Sequence, residues 1–265
     1  MNRYDRYEAL RIERRDPALW ITLNNPPLNG LTPQMHRELA TIFREVSFDP
    51  ETRVVVLTGT GDRGFCAGGD INRMRDGLDD HARWVQSMHE AREIILNALE
   101  CERPVIGRIN GHAIGFGASL ALCCDVTVMA EAAKIGDTHV KVGLSAGDGG
   151  ALLWPHLVGL MRARRYLLTG DLLTGREAAD IGLVTEAVPG EKLDQVVDAW
   201  VDRLGNGPTQ ALVQTKRSLN MALRRDAQVF MDAQLGLETL THLTQDHREA
   251  VVAFSEKREP KFGGR

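Results

Sequence analysis

Apolar residues along this chain change period several times, and each change marks an element. Glu8 to Arg14 and Ala18 to Asn24 read as short strands, the second broken by Asn24-Asn25-Pro26-Pro27. Thr32 is a good N-cap and Pro33 suits the first helical position, where its missing N–H is no loss, so the spacing predicts a helix from Pro33 to about Ser47. Val54 to Thr58 is a continuous apolar run of the kind that fills a buried strand. Asp79 to Leu99 returns to helical spacing, and Pro104 resets the chain into a β run from Val105 to Asn110. Gly111 to Asp125 begins glycine-rich and passes into Ala118-Ser119-Leu120-Ala121-Leu122-Cys123-Cys124, a turn feeding a buried helix, before a strand at Val126 to Met129. A second glycine-rich loop covers Gly143 to Gly150; further on, Thr174-Gly175-Arg176-Glu177 forms a capping box and Gly182 stops the helix it opens. From about Glu191 onward, leucine, valine and methionine recur every three or four residues. This alternation predicts an α/β body over residues 1–190 and a helical region over 191–265, without internal repeats.

Composition narrows the function classes. A chain of 265 residues, 43% hydrophobic and 26% charged, is a globular protein, read as one α/β domain with a smaller appendage. A net charge of -4 supplies no basic face for nucleic acid. The N-terminal stretch is charged where a signal peptide needs an apolar run, and no segment reaches the length of a membrane span, so a cytoplasmic location is expected. Cys66, Cys101, Cys123 and Cys124 have no zinc-ligand spacing; free buried thiols are expected, with no metal and no cofactor implied.

The glycine-rich turns carry the chemistry. Gly59-Thr60-Gly61-Asp62-Arg63-Gly64 fits the dinucleotide pattern, but that pattern needs its third glycine inside a helix, whereas Phe65-Cys66-Ala67-Gly68-Gly69 is expected to stay in turn conformations. The other use of such turns is an oxyanion hole, in which backbone N–H groups face an oxygen that becomes negative during reaction. Asp70 reads as the N-cap of the helix behind the first turn.

Phe65-Cys66-Ala67-Gly68-Gly69-Asp70-Ile71 and Gly111-His112-Ala113-Ile114-Gly115-Phe116-Gly117-Ala118-Ser119-Leu120, with Cys124-Asp125 after it, resemble the two signature stretches of the enoyl-CoA hydratase/isomerase (crotonase) family. The resemblance runs from Asn25-Pro26-Pro27-Leu28-Asn29-Gly30 to Ala253-Phe254-Ser255-Glu256-Lys257-Arg258. It implies a ββα-spiral core and a C-terminal helical region that packs in trimers, often paired into hexamers. It also implies an acyl-CoA substrate, with coenzyme A entering only as part of that substrate, and a thioester enolate held by the N–H groups of Gly69 and Phe116. Ala67, Gly68 and Ser119 would line the substrate, and Phe254 and Lys257 would reach the CoA of a neighbouring subunit.

Hydratases of the family use two glutamates as general acid and base. The resemblance places Ser119 and His139 at those positions. Histidine titrates near neutral pH and serine does not, so His139 is a candidate base. Asp148, in the loop before the next helix, resembles the catalytic aspartate of dienoyl-CoA isomerases, although by position alone it would cap that helix. Gly117-Ala118-Ser119-Leu120-Ala121 lacks the last glycine of a nucleophile elbow, against a serine hydrolase. Double-bond isomerisation needs one good base and fits this set better than hydration. Three rivals remain. Gly147 to His156 also resembles the corresponding stretch of crotonase-fold β-diketone hydrolases; a CoA-thioester hydrolase or decarboxylase would use the same scaffold; and so would an acyl-CoA binder that has lost catalysis.

Overall fold

The computed structural model describes residues 3–265. Its main sheet opens with an antiparallel hairpin, β1 (Leu10–Arg15) and β2 (Ala18–Leu23), and continues in parallel through β3 (Val54–Gly59), β5 (Val105–Ile109), β7 (Val126–Ala130) and β10 (Glu186–Val188). The run Val54-Val55-Val56-Leu57 is continuous because both faces of this sheet are covered. Val55 and Leu57 point into the larger core with Ile21, while Val54 and Val56 join Ala18, Trp20, Ile106 and Val128 beneath Leu193, Val197 and Val201 of helix α8 (Leu193–Gly205). The first helix of the predicted C-terminal region is therefore a cover for the main sheet.

On the larger-core side lies helix α1 (Pro33–Ser47), with Thr32 Oγ1 accepting the Met35 N–H at 3.1 Å as the cap predicted. Met35, Leu39, Ile42 and Phe43 of α1 pack with Ala91, Ile94, Ile95 and Ala98 of α3 (His81–Glu100). The capping box of Thr174 and Glu177 opens α7 (Gly175–Asp180), and Gly182 takes a left-handed φ of 77°.

A second sheet of short strands was not anticipated: β4 (Gly64–Cys66), β6 (His112–Ile114), β8 (Lys134–Gly136) and β9 (Leu173–Thr174), in that order. Phe65 and Cys66, expected in a turn, are strand residues. Three-residue strands show no periodicity. This pairing depends on close backbone approach, since a Cβ on Gly111 would lie 2.5 Å from the Gly64 nitrogen. The sheet positions the ends of β4, β6 and β8, from which the two glycine turns and the His139 loop emerge.

The remaining helices are α2 (Ile71–Asp76), α4 (Phe116–Leu122), α5 (Gly150–Val158), α6 (Leu160–Thr169), α9 (Thr209–Leu219), α10 (Met221–His242) and α11 (Gln245–Ser255). Helix α10 packs on α3 and α5, and α11 packs on α2. Among the described residues no helix is long and apolar enough to cross a membrane. All four cysteines are free, three buried and Cys124 partly so.

Candidate active site

Gly68 and Gly115 shape the two turns. Gly68 has φ 70°, and a Cβ there would sit 2.7 Å from the Ile114 carbonyl oxygen and 3.3 Å from the Phe116 nitrogen, so the turns touch through a glycine that no other residue could replace without a clash. Gly115, at φ 57° and ψ -127°, redirects the chain from β6 into α4. Leu31 N–H holds the Gly68 carbonyl at 2.9 Å, and Gly115 N–H holds that of Gly136 at 2.9 Å. The next N–H in each turn, that of Gly69 and of Phe116, finds no acceptor among the described residues. Both residues line one cavity of about 240 Å³. Asp70 caps α2, accepting N–H bonds from Asn72 and Arg73.

Phe116 is buried, with its ring centroid 5.4 Å from that of His36. His36 Nδ1 lies 3.1 Å from Glu90 Oε2, while Gln86 donates to Glu90 Oε1 at 2.8 Å. Burial pushes the Glu90 carboxyl up, but these two partners outweigh it and hold it below its ordinary value. Phe116 thus lines the cavity backed by the hydrogen-bonded His36 and Glu90.

The cavity is also lined by His139, the first residue of a 3-10 turn (His139–Val142) after β8. Its Nδ1 is 2.7 Å from Asp137 Oδ1 and its Nε2 is 3.1 Å from Asp148 Oδ2. All three side chains are buried. Burial alone would push the imidazole toward neutrality, but Asp137 and Asp148 overcome it and hold its pKa well above the ordinary histidine value. Asp137 is correspondingly lowered: burial raises it, and the His139 cation with its hydrogen bonds brings it down. The group is a cation clamped between two carboxylates. Asp148 does not cap α5, whose N-cap is Gly149 with no side-chain bond. Its Oδ1 is buried and has no hydrogen-bond partner among the described residues. The oxygen and nitrogen atoms of Asp137, His139 and Asp148 lie within 4.8 Å of one another, a spacing compatible with a metal. Nδ1 of His139 is however already hydrogen-bonded to Asp137 and Nε2 ion-paired with Asp148, while Asp137 Oδ2 and Asp148 Oδ1 have no hydrogen-bond partner among the described residues.

The cavity also holds residues that the sequence reading missed. Glu238 and His242 of α10 and His247 of α11 line it together with Trp84 of α3. Gly147 allows this approach, because a Cβ there would lie 2.3 Å from the Gln234 carbonyl oxygen and 2.9 Å from the Glu238 Cβ. Burial, and then the Asp148 charge, push the Glu238 carboxyl well above its usual range, with His139 opposing. Trp84 stacks on His242 with centroids 3.8 Å apart, and His242 lies 5.1 Å from His247. Burial, the neighbouring His247, and more distant His81 and Arg248 depress the His242 pKa to about 4. Burial likewise lowers His247, against the opposing effect of its bond to the Val142 carbonyl. A signal for these residues did exist. The buried positions of α10 are Ala227, Met231, Leu235, Glu238 and His242, so two ionisable residues occupy an otherwise apolar stripe.

Of the residues expected at the site, Gly69, Phe116, His139 and Asp148 share the cavity. Gly68 shapes it from behind, and Ala67 is tied by its N–H to the Leu28 carbonyl at 3.0 Å. Ser119 lies behind Gly149, whose hypothetical Cβ would be 2.9 Å from its Oγ; that buried hydroxyl has no partner and is not part of the cavity wall. Phe254 and Lys257 are exposed near the end of α11, outside the cavity of their own chain. Arg73, Met74, Trp84 and Met88 also line the cavity.

Comparison with known proteins agrees with this geometry. The family model described as enoyl-CoA hydratase/isomerase matches residues 13–265. The chain is 32% identical to crotonyl-CoA hydratase of Syntrophomonas wolfei, over 97% of this chain and 98% of that protein. It is 34% identical to 1,2-epoxyphenylacetyl-CoA isomerase of Escherichia coli, over 94% and 95% respectively. The crystal structure of an enoyl-CoA hydratase/isomerase from Mycobacterium paratuberculosis superimposes with a TM-score of 0.89 at 34% identity, covering 94% of this chain and 99% of that one. The α/β architecture, the two glycine turns meeting at one cavity and the length of these matches lead to one conclusion: the chain belongs to the enoyl-CoA hydratase/isomerase (crotonase) family.

Proposed function

We propose that the protein shifts the double bond of an enoyl-CoA, with Asp148 moving the proton. The observation that carries this reading is Asp148, which lines the cavity with Gly69 and Phe116 and whose buried Oδ1 has no hydrogen-bond partner among the described residues. In this mechanism the thioester carbonyl oxygen accepts the N–H groups of Gly69 and Phe116, each worth about 2.7–4 kcal/mol to the developing oxyanion. Asp148 Oδ1 takes a proton from the γ carbon of a 2-enoyl chain, or the α carbon of a 3-enoyl chain. The electron pair moves onto the carbonyl oxygen as a dienolate, and the same carboxyl returns the proton at the other carbon. Nothing is gained or lost, and no cofactor beyond the CoA of the substrate is needed. His139 serves as a cation that orients Asp148, its Nε2 lying 3.1 Å from Asp148 Oδ2. It is a positioning residue, because both its nitrogens are engaged by carboxylates.

The test is mass-spectrometric turnover of 2-enoyl-, 3-enoyl- and 2,4-dienoyl-CoA and one cyclic β-diketone, in water enriched in deuterium and heavy oxygen. Deuterium entering an isomerised chain without heavy oxygen is the expected result, and Asp148→Asn should lower kcat by about 10²–10⁴-fold. Heavy oxygen in an uncleaved chain would instead show hydration. Release of CoA or cleavage of the diketone would show hydrolysis, and tight thioester binding without turnover of any kind would indicate a binder.

The same reading includes self-association through the 191–265 region. Val229, Phe230, Leu237 and Leu240 are all exposed and fall on one side of α10 by helical period, and α6 exposes Leu160, Met161 and Leu168. A trimer or a pair of trimers would bury this surface and give Phe254 and Lys257 a neighbouring CoA to contact. Light scattering should return three or six times the 29.3 kDa chain mass. A monomer would remove any role for Phe254 and Lys257 at the site.

A further inference from the structure

The geometry points to a recognition site for a hydroxyl group on the acyl chain, formed in the cavity by Glu238, His242 and His247. It rests on the acyl-CoA reading above and specifies the class of acyl group.

Each of the three side chains is more than nine-tenths buried, lines the cavity and keeps a polar atom without a partner: Glu238 Oε2, His242 Nδ1 and His247 Nε2. Their neighbours do not satisfy them. Trp84 already donates its N–H to Thr239 Oγ1 at 3.0 Å and offers only its ring face to His242. An all-apolar acyl chain would leave these atoms unpaired on one wall, which native interiors avoid.

The hydrogen-bond roles of two of the groups can be read from the coordinates and the chemistry of the groups. His247 Nδ1 is 2.7 Å from the Val142 carbonyl oxygen, which can only accept, so Nδ1 carries the proton and Nε2 of the neutral ring offers a lone pair. Burial and then the Asp148 charge push Glu238 well up, which favours its protonated form, an O–H donor. With His242 depressed to about 4 and His247 also lowered, the wall carries no net charge near neutral pH. A carboxylate or ammonium terminus would meet no counter-charge on these three side chains. A ketone could accept from Glu238 but could not donate to His247. A hydroxyl, aliphatic or phenolic, both donates and accepts.

The experiment is calorimetric titration with saturated thioesters, which cannot undergo the double-bond shift. Hexanoyl-CoA would be compared with its 4-, 5- and 6-hydroxy derivatives, and phenylacetyl-CoA with its 3- and 4-hydroxy derivatives. One hydroxyl position should bind about tenfold tighter than its parent. His242→Phe, which keeps the stack on Trp84, and Glu238→Leu should each bring that preference to within about twofold while retaining affinity for the parents. The inference is overturned if plain thioesters bind and no hydroxyl position improves on them, or if the preference survives both substitutions. Failure of every thioester to bind would overturn the acyl-CoA reading itself.

Discussion

Histidines lining one cavity answer burial in opposite ways. His139 is buried, yet Asp137 and Asp148 hold it as a cation. His242 and His247 are depressed toward neutrality by burial, and cationic neighbours add to it: His247, His81 and Arg248 for His242, and Arg248 and His139 for His247. Burial pushes all three imidazoles the same way, and the sign of the neighbouring charge decides the outcome. The His139 end therefore suits proton chemistry, and the His242 and His247 end suits recognition of an uncharged polar group.

The sharpest way to break this contrast is to remove one histidine from each end. His139→Gln would leave Asp137 and Asp148 buried without their cation and should destabilise the fold by about 3–5 kcal/mol in urea unfolding at fixed protein concentration. His242→Phe keeps the stacked shape and removes a buried, unpartnered nitrogen, so its expected effect is within about 1 kcal/mol. Equal losses in the two variants would show that His139 is not the charge-bearing member.

The pH dependence of stability separates the ends next. A histidine whose pKa is depressed on folding binds fewer protons folded than unfolded, so its contribution is present above the unfolded value of about 6.5 and is lost as pH falls toward about 4, the His242 value. His139 has the opposite sign. Its raised value means that its stabilisation is full below about 6.5 and is lost as pH rises through the folded value. His242→Phe should therefore flatten the acid limb, by at most about 1.4 kcal/mol per pH unit, and leave the alkaline limb in place. Loss of the alkaline limb in that variant would contradict the assignment.

How far these ends could be read in the sequence differs for a physical reason. Helix α1 was legible to its boundaries, because Thr32, Pro33 and the apolar spacing are local signals. Gly69, Phe116, His139 and Asp148 were legible because the signature stretches place them, and they do share one cavity. The pairing of His139 with Asp137, two residues away, had no signal of its own, since the 3-10 turn that folds one onto the other has no periodicity. The second sheet was hidden for the same reason. Glu238, His242 and His247 come from helices far along the chain and reach the cavity only by tertiary packing, although their place in a buried stripe was visible in principle.

The smallest expected effect concerns what holds the neutral end together. Trp84 links α3 to α10 in two ways, by its ring on His242 and by its N–H to Thr239, whose hydroxyl in turn donates to the Leu235 carbonyl at 2.9 Å. Trp84→Phe retains an aromatic face and deletes the donor, leaving Thr239 Oγ1 with its intrahelical bond, so no buried group is orphaned. The expected loss is about 1 kcal/mol in stability, the net worth of one hydrogen bond. If the neutral end is built by packing, hydroxyl preference should persist in this variant, because Glu238, His242 and His247 are all retained and an aromatic face still covers His242. Collapse of the preference would mean that the tryptophan hydrogen bond, and not burial, fixes the orientation of His242, and the wall would then depend on a single contact between α3 and α10.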